Sequence, residues 1–180
     1  MTRDYFHKMK GTTQSPPRVS TFEMIWSWVG ACLGIGIVGF INSQFFEKGD
    51  LVLMIGSFGA SAVLIYGAVK SPLAQPRNLI GGHLISALIG VLSFKLFGPH
   101  LWLAASMAVA TSIAAMHFSK TLHPPGGATA LIAVIGGPKI TQLGFLYVLV
   151  PVGLGITIML VVALVVNNIP RQRRYPEFWF

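Results

Sequence analysis

The sequence predicts an all-α polytopic integral membrane protein of four to six membrane segments, with two broken or re-entrant half-helices and an inverted repeat. Three observations lead there. Of the 180 residues 53% are hydrophobic and 10% charged, with a mean hydropathy of +0.69, whereas soluble domains carry about 25% charge. Six apolar stretches approach the roughly 20 residues that a spanning helix needs. Glycine and proline interrupt two of these stretches at matching places.

The first 21 residues form a polar, basic tail without the apolar run of a signal peptide, so the first membrane helix is expected to act as its own insertion signal. The stretches then run over 22–42, 51–69, 78–97, 100–118, 122–137 and 140–166, a transmembrane region of 22–166. The fifth is opened by Pro124-Pro125-Gly126-Gly127, which no regular helix runs through. Residues 167–180 close the chain with basic and aromatic side chains, among them Tyr175, Phe178, Trp179 and Phe180, a composition suited to membrane lipids at the interface.

Charge sets the expected orientation. The 13 Lys and Arg residues divide ten to three between the two sides if all six stretches cross, with only Lys48, Lys95 and Lys139 on the poorer side. The positive-inside rule then puts both termini in the cytoplasm. A net charge of +8 also suits nucleic acid, but these cations lie in short gaps between apolar stretches rather than on one soluble face, so nucleic acid is not the expected partner.

A repeat is visible in GASAVLI (59–65) against GATALIA (127–133), offset by 68 residues. Gly81 and Gly90 match Gly144 and Gly153 at an offset of 63. The halves are about 22–97 and 100–166, and three crossings in each require them to be inverted, as in many transporters.

In such folds the binding site lies where the matching segments break. Here those places are IGSFGASA (55–62) and HPPGGATA (123–130), with half-helices expected to start at Ala60 and Ala128. Backbone N–H groups at a helix start are unpaired and carry the positive end of the dipole, a setting for a small anion. The candidate substrate-binding residues are Ser57, Gly59, Ala60, Ser61, His123, Pro124, Pro125, Gly126, Gly127 and Thr129. The bland alternative is that these small residues only let helices pack closely.

Gln75, Arg77 and Asn78 in the SPLAQPRN loop either attract an anion or lock the loop. His83 and His117 read as packed or interfacial histidines. With His123 they match no metal-ligand spacing, and Cys32 is the lone cysteine, so neither metal nor cofactor is expected. No intramembrane acid is available to orient a histidine base, and no nucleotide loop is present, so the chain does not read as an enzyme.

GASAVLIY, SPLAQPRNLIGGHL with SALIGV, and AMHFSKTLHPPGGATAL resemble the HPP family of integral membrane proteins, named for His123-Pro124-Pro125, over about residues 22–166. The family is usually described with four transmembrane helices, and members in cyanobacteria and chloroplasts are linked to nitrite transport. The resemblance implies that fold, nitrite as the foremost small monovalent anion, and a bacterial plasma membrane as the setting. The rival readings are a non-transporting scaffold or sensor subunit and a pore for another small solute. Glycine-rich faces of the first and last stretches are candidate contacts for a homo-oligomer.

Overall fold

A computed structural model describes residues 2–47 and 51–180, and among them the chain is all helical. A short helix, α1 (Thr2–Lys8), is followed by α2 (Thr21–Ile41), which runs on in a wider turn to Phe46. Ser20 caps α2 by accepting from the Glu23 N–H at 3.2 Å. The later elements are α3 (Ser57–Ala62, continued in a wider turn to Gly67), α4 (Pro76–Phe97), α5 (Leu101–Phe118), α6 (Pro124–Ile135), α7 (Pro138–Thr141) and α8 (Leu154–Val166).

Among the described residues four helices are long and apolar enough to cross a membrane: Thr21–Phe46, Pro76–Phe97, Leu101–Phe118 and Val148–Val166. Two shorter apolar helices, Ser57–Gly67 and Pro124–Ile135, lie between them. At 1.5 Å per residue each is about 16–18 Å long, roughly half the apolar thickness of a bilayer. The expected breaks are therefore present, but the helices start earlier than expected, at Ser57 and Pro124 instead of Ala60 and Ala128. Proline at the first helical turn lacks only an N–H that would be unpaired anyway, so Pro124 and Pro125 open α6. Gly59, Gly126 and Gly127 lie inside the helices.

The last stretch departs from expectation as well. The predicted run over 140–166 is divided: α7 and a series of turns precede an extended residue at Val150, and the long helix follows Pro151. Proline has no N–H to give its preceding turn, which ends the pairing there.

The two ends of the bundle are fixed by side chains bonded to backbone. At one end Asn42 accepts from the Leu53 and Met54 N–H groups, at 2.8 and 3.3 Å, and holds the extended strand-like approach to α3. At the other end Asn167 donates to the Ile65 carbonyl at 2.9 Å. Arg173 grips the same region: it donates to the Tyr66 carbonyl, to the Asn167 side chain, to Ser27, and to the Glu23 carboxylate at 2.8 Å. Tyr175 donates to the Ala74 carbonyl at 2.8 Å. Burial pushes the Tyr175 phenol above its ordinary range and keeps it a donor. This tail was expected to lie at the membrane interface. Phe178, Trp179 and Phe180 are exposed, whereas Arg173 and Tyr175 turn inward and strap the bundle end.

Close approach of helices depends on missing side chains. A Cβ on Gly82 would sit 2.5 Å from the His123 Cβ, and one on Gly90 would sit 2.6 Å from the Ala130 carbonyl. α4 therefore lies directly against α6. Gly30 and Gly34 of α2 receive the Tyr66 ring, and Gly155 of α8 receives Phe58. The glycine faces considered for oligomer contacts are thus largely filled from within the chain, while Gly36 stays open.

Candidate functional site

α3 and α6 cross antiparallel at the centre of the bundle. The start of α3 meets the second turn of α6 through Ser57 and Thr129, and the middle of α3 faces the start of α6 through Ser61 and His123. α4 inserts His83 between them. All five side chains are completely buried.

Their polar atoms form one chain of hydrogen bonds. His83 Nδ1 lies 2.7 Å from Thr129 Oγ1 and its Nε2 lies 2.6 Å from Ser61 Oγ. Ser61 Oγ is also 3.0 Å from His123 Nε2, and His123 Nδ1 is 2.8 Å from the Leu73 carbonyl. Thr129 donates to Ser57 Oγ at 2.8 Å, and Tyr147 donates to the Thr129 carbonyl at 3.0 Å. The two imidazole rings are 5.0 Å apart, and Phe58 covers His83 edge-on at 6.0 Å.

Because a carbonyl only accepts, His123 Nδ1 carries a hydrogen. His123, the residue before α6, thereby ties the helix start to the 71–75 loop and presents Nε2 to the cluster. Lys120 adopts a left-handed conformation (φ 56°) that ends α5 and turns the chain back so that His123 reaches this place.

Other buried polar groups are engaged differently. Gln75 donates to the Val69 and Ser71 carbonyls at 3.0 and 2.8 Å and accepts from the Glu177 N–H at 2.8 Å. Arg77 donates to the Ser119 carbonyl and Asn78 to the Leu122 carbonyl, both at 2.9 Å. These three lock loops to backbone. The central five bond mainly to one another's side chains.

Of the residues singled out from sequence, Ser57, Ser61, His123 and Thr129 come together here. Pro125 and Gly126 are buried beside them, and a Cβ on Gly126 would lie 2.8 Å from both the Gly82 carbonyl and Ser86 Oγ. Gly59, Ala60 and Pro124 lie on exposed faces, and Gly127 is half-buried toward α5. His83 is central although its sequence setting suggested packing; the signal was Gly81-Gly82 before it, which lets α4 approach closely enough for the ring to reach both half-helices. His117 is exposed. Among the described residues no group of His, Cys, Asp or Glu is placed to hold a metal ion.

Cavities flank the cluster toward both bundle ends. One of about 330 Å³ lies at the tail end, lined by Lys70, Ser71, Arg173 and Arg174. Two lie toward the opposite end: one of about 350 Å³ with Lys95 and Thr141, and one of about 440 Å³ that reaches Gly56 and Lys139.

Comparison with known proteins agrees with this architecture. A family model of the HPP transmembrane region matches residues 16–176. Two transmembrane proteins of Dictyostelium discoideum are each 44% identical: one over 179 residues, covering 98% of this chain and 57% of the relative, the other over 181 residues, covering 98% and 63%. The chain thus spans less than two thirds of the length of these curated relatives. They come from an amoeba, so the likeness does not by itself imply a bacterial membrane. No solved structure matches the chain.

Proposed function

Since the chain belongs to the HPP transmembrane family, and since its two half-helices cross at a buried cluster of donors, we propose that it carries a small monovalent anion, nitrite foremost, through that crossing. The observation that supports this reading is the set Ser57, Ser61, Thr129, His83 and His123, fully buried and bonded to one another in the middle of an apolar bundle. Buried polar groups at membrane depth are costly and mark solute paths.

The chemistry favours an anion. The described carboxylates lie elsewhere: Glu23 pairs with Arg173, Glu47 accepts from Asn42, and Glu177 is on the exposed tail. The cluster offers three hydroxyls and two imidazoles, which can turn their hydrogens toward a dehydrated anion and offset the loss of its water. The tail-end cavity carries Lys70 and Arg174, and Lys95 and Lys139 line the opposite cavities, so each entrance raises the local anion concentration. We place the tail end in the cytoplasm, because Arg18, Lys70, Arg77, Lys120 and the tail arginines gather there. The chain acts as a carrier and not as an enzyme in this reading.

In the closed arrangement the five side chains satisfy one another, so an anion must displace Ser61 or Thr129 from His83. Reconstituted protein is expected to take up nitrite, and formate to a lesser degree, above the rate of empty liposomes. His123→Ala is expected to reduce that uptake by about tenfold or more. Absence of uptake of nitrite, nitrate, formate and chloride by folded protein would refute the reading.

A further inference from the structure

The outer side of α6 carries a cavity that the buried cluster does not use. Ala104 and Ala108 of α5 pack on Ala130 and Val134 of α6 as a small apolar cluster. Toward the tail end this contact gives way to a groove of about 600 Å³, walled by Val109, Ile113 and His117 of α5 and by Gly127, Ala128 and Leu131 of α6. Residues three and four apart share a helix face, so each helix gives the groove one continuous wall. Among the described residues that line it, His117 has the one polar side chain.

A glycine keeps the groove open. A Cβ on Gly126 would lie 2.8 Å from the Gly82 carbonyl, so contact between helices accounts for that glycine. On Gly127 the nearest atom to a Cβ would be Val109 Cγ1 at 3.9 Å, an ordinary contact. Glycine within a helix is less stable than alanine, and the protein's own packing does not call for it at 127. Its missing side chain leaves space that an outside group can fill.

Length and charge identify that group. Val109 is near the middle of α5 and His117 is in its last turn, so the groove runs about 12 Å along the helix. One leaflet of a bilayer is about 15 Å deep in its apolar part. The groove therefore begins at the tail-side headgroups and closes near the midplane, where Ala108 meets Ala130. A neighbouring helix would have to cross both leaflets, whereas one acyl chain ends where the groove ends. Apolar walls offer too few partners to hold ordered water there.

The open end is cationic. His117 stands at the lip, and the exposed Lys120 follows it three residues on. Arg77 donates to the Ser119 carbonyl at 2.9 Å and so brings its guanidinium to the same corner. The sequence has no acidic residue between positions 51 and 176 to offset these charges locally. Basic groups at the end of an apolar cleft between membrane helices suit an anionic lipid headgroup.

We propose that the groove between α5 and α6 is a binding site for an anionic phospholipid of the tail-side leaflet. One acyl chain lies on Gly127 and Ala128 between Val109, Ile113 and Leu131, and the headgroup phosphate pairs with Lys120 and accepts from His117. The lipid then forms the outer wall of a half-helix whose inner side carries Thr129, so α6 is held between the buried cluster and a lipid chain.

Photolabelling tests the site. The full chain is placed in phosphatidylcholine nanodiscs that hold a minor share of phosphatidylglycerol with a diazirine on its acyl chain, and labelled peptides are located by mass spectrometry. Label is expected to concentrate on residues 109–117 and 127–131. Gly127→Leu fills the groove and should lower this labelling by about tenfold or more. Lys120→Gln should lower it by about fivefold, since one surface cation contributes about that factor to anionic-lipid binding. The same diazirine chain on phosphatidylcholine should label the groove more weakly and respond little to Lys120→Gln.

The melting temperature in detergent reports whether each variant folds. If Gly127→Leu does not, Ala128→Leu fills the same groove from the adjacent half-buried position and takes its place in the comparison. Label spread evenly over the exposed faces of α2, α5 and α8, or unchanged by filling the groove, would overturn the site in favour of an ordinary lipid annulus. Equal labelling by the two headgroups with no effect of Lys120→Gln would overturn the anionic lipid. An unlabelled groove in protein that runs as a dimer would overturn it in favour of a second copy of the chain.

Discussion

Ser61 and Thr129, 68 residues apart in sequence, bind opposite nitrogens of one imidazole: His83 Nε2 is 2.6 Å from Ser61 and Nδ1 is 2.7 Å from Thr129. Two segments far apart in sequence thus converge on a single side chain of α4. Since Ser61 and Thr129 come from segments of opposite direction, separation of α3 from α6 must break one of these two bonds, which makes the His83 bridge the latch of the crossing.

The latch predicts how Thr129 tolerates change. Thr129→Val keeps the volume and removes the hydroxyl, so nitrite uptake into liposomes should fall by about tenfold or more, corresponding to about 1.4 kcal/mol. Thr129→Ser restores the hydroxyl and should retain most of the rate.

Packing predicts a contrast among glycines. Gly82→Ala puts a methyl 2.5 Å from the His123 Cβ and Gly126→Ala puts one 2.8 Å from the Gly82 carbonyl, backbone and short side chains that cannot give way. Each should destabilise the protein by about 1–3 kcal/mol. Gly59→Ala meets nothing within 4 Å on an exposed helical face and should be neutral or stabilising by about 0.5–1 kcal/mol. Thermal unfolding in detergent distinguishes the two outcomes.

The tail strap predicts sensitivity far from the crossing. Arg173→Ala removes bonds to Glu23, Ser27, Tyr66 and Asn167 and should cost about 2–3 kcal/mol, below the 3–5 of a fully buried pair because Glu23 is 36% exposed. Arg173→Lys should not recover it, since one ammonium cannot span partners that a planar fork reaches. The melting temperature and trypsin cleavage at the exposed Arg171 and Arg174 report the loss.

Alkaline pH should weaken the same strap. The Tyr175 phenol is raised above its ordinary value of 10.0 by burial, so the folded state holds this proton more tightly than the unfolded state. The associated stability is complete below pH 10.0 and is lost as pH rises beyond it. Tyr175→Phe should make the alkaline fall in melting temperature shallower while lowering stability at neutral pH through the lost bond to Ala74.

The sequence revealed much of this, and physics explains the remainder. Six apolar stretches follow from apolar length, of which four are long enough to span, and the breaks before α3 and α6 follow from Gly56, Pro124 and Pro125. The sequence alignment of 59–65 with 127–133 matches Ser61 to Thr129, and both bond to His83. The rotation of each half-helix was not visible, because periodicity is nearly absent in segments that are apolar all round. Gly59 and Ala60 therefore looked as much a part of the crossing as Ser57 and Ser61. His83 was hidden for the same reason: its importance comes from what α4 packs against, and that is set by Gly82 and Gly126 meeting across sequence. Arg173 and Tyr175 resembled an interfacial anchor by composition, yet Asn167, Glu23 and the open carbonyls at the end of α3 give them better partners inside.

The most direct test of passage through the crossing compares nitrite uptake by two folded variants of similar burial, His83→Gln at the latch and Tyr66→Phe on the flank, where only a hydroxyl bonded to the Met159 carbonyl is lost. The account predicts that His83→Gln falls by about tenfold or more while Tyr66→Phe stays within about twofold of the unmodified protein. Equal rates in the two variants, or undiminished uptake by His83→Gln, would contradict it.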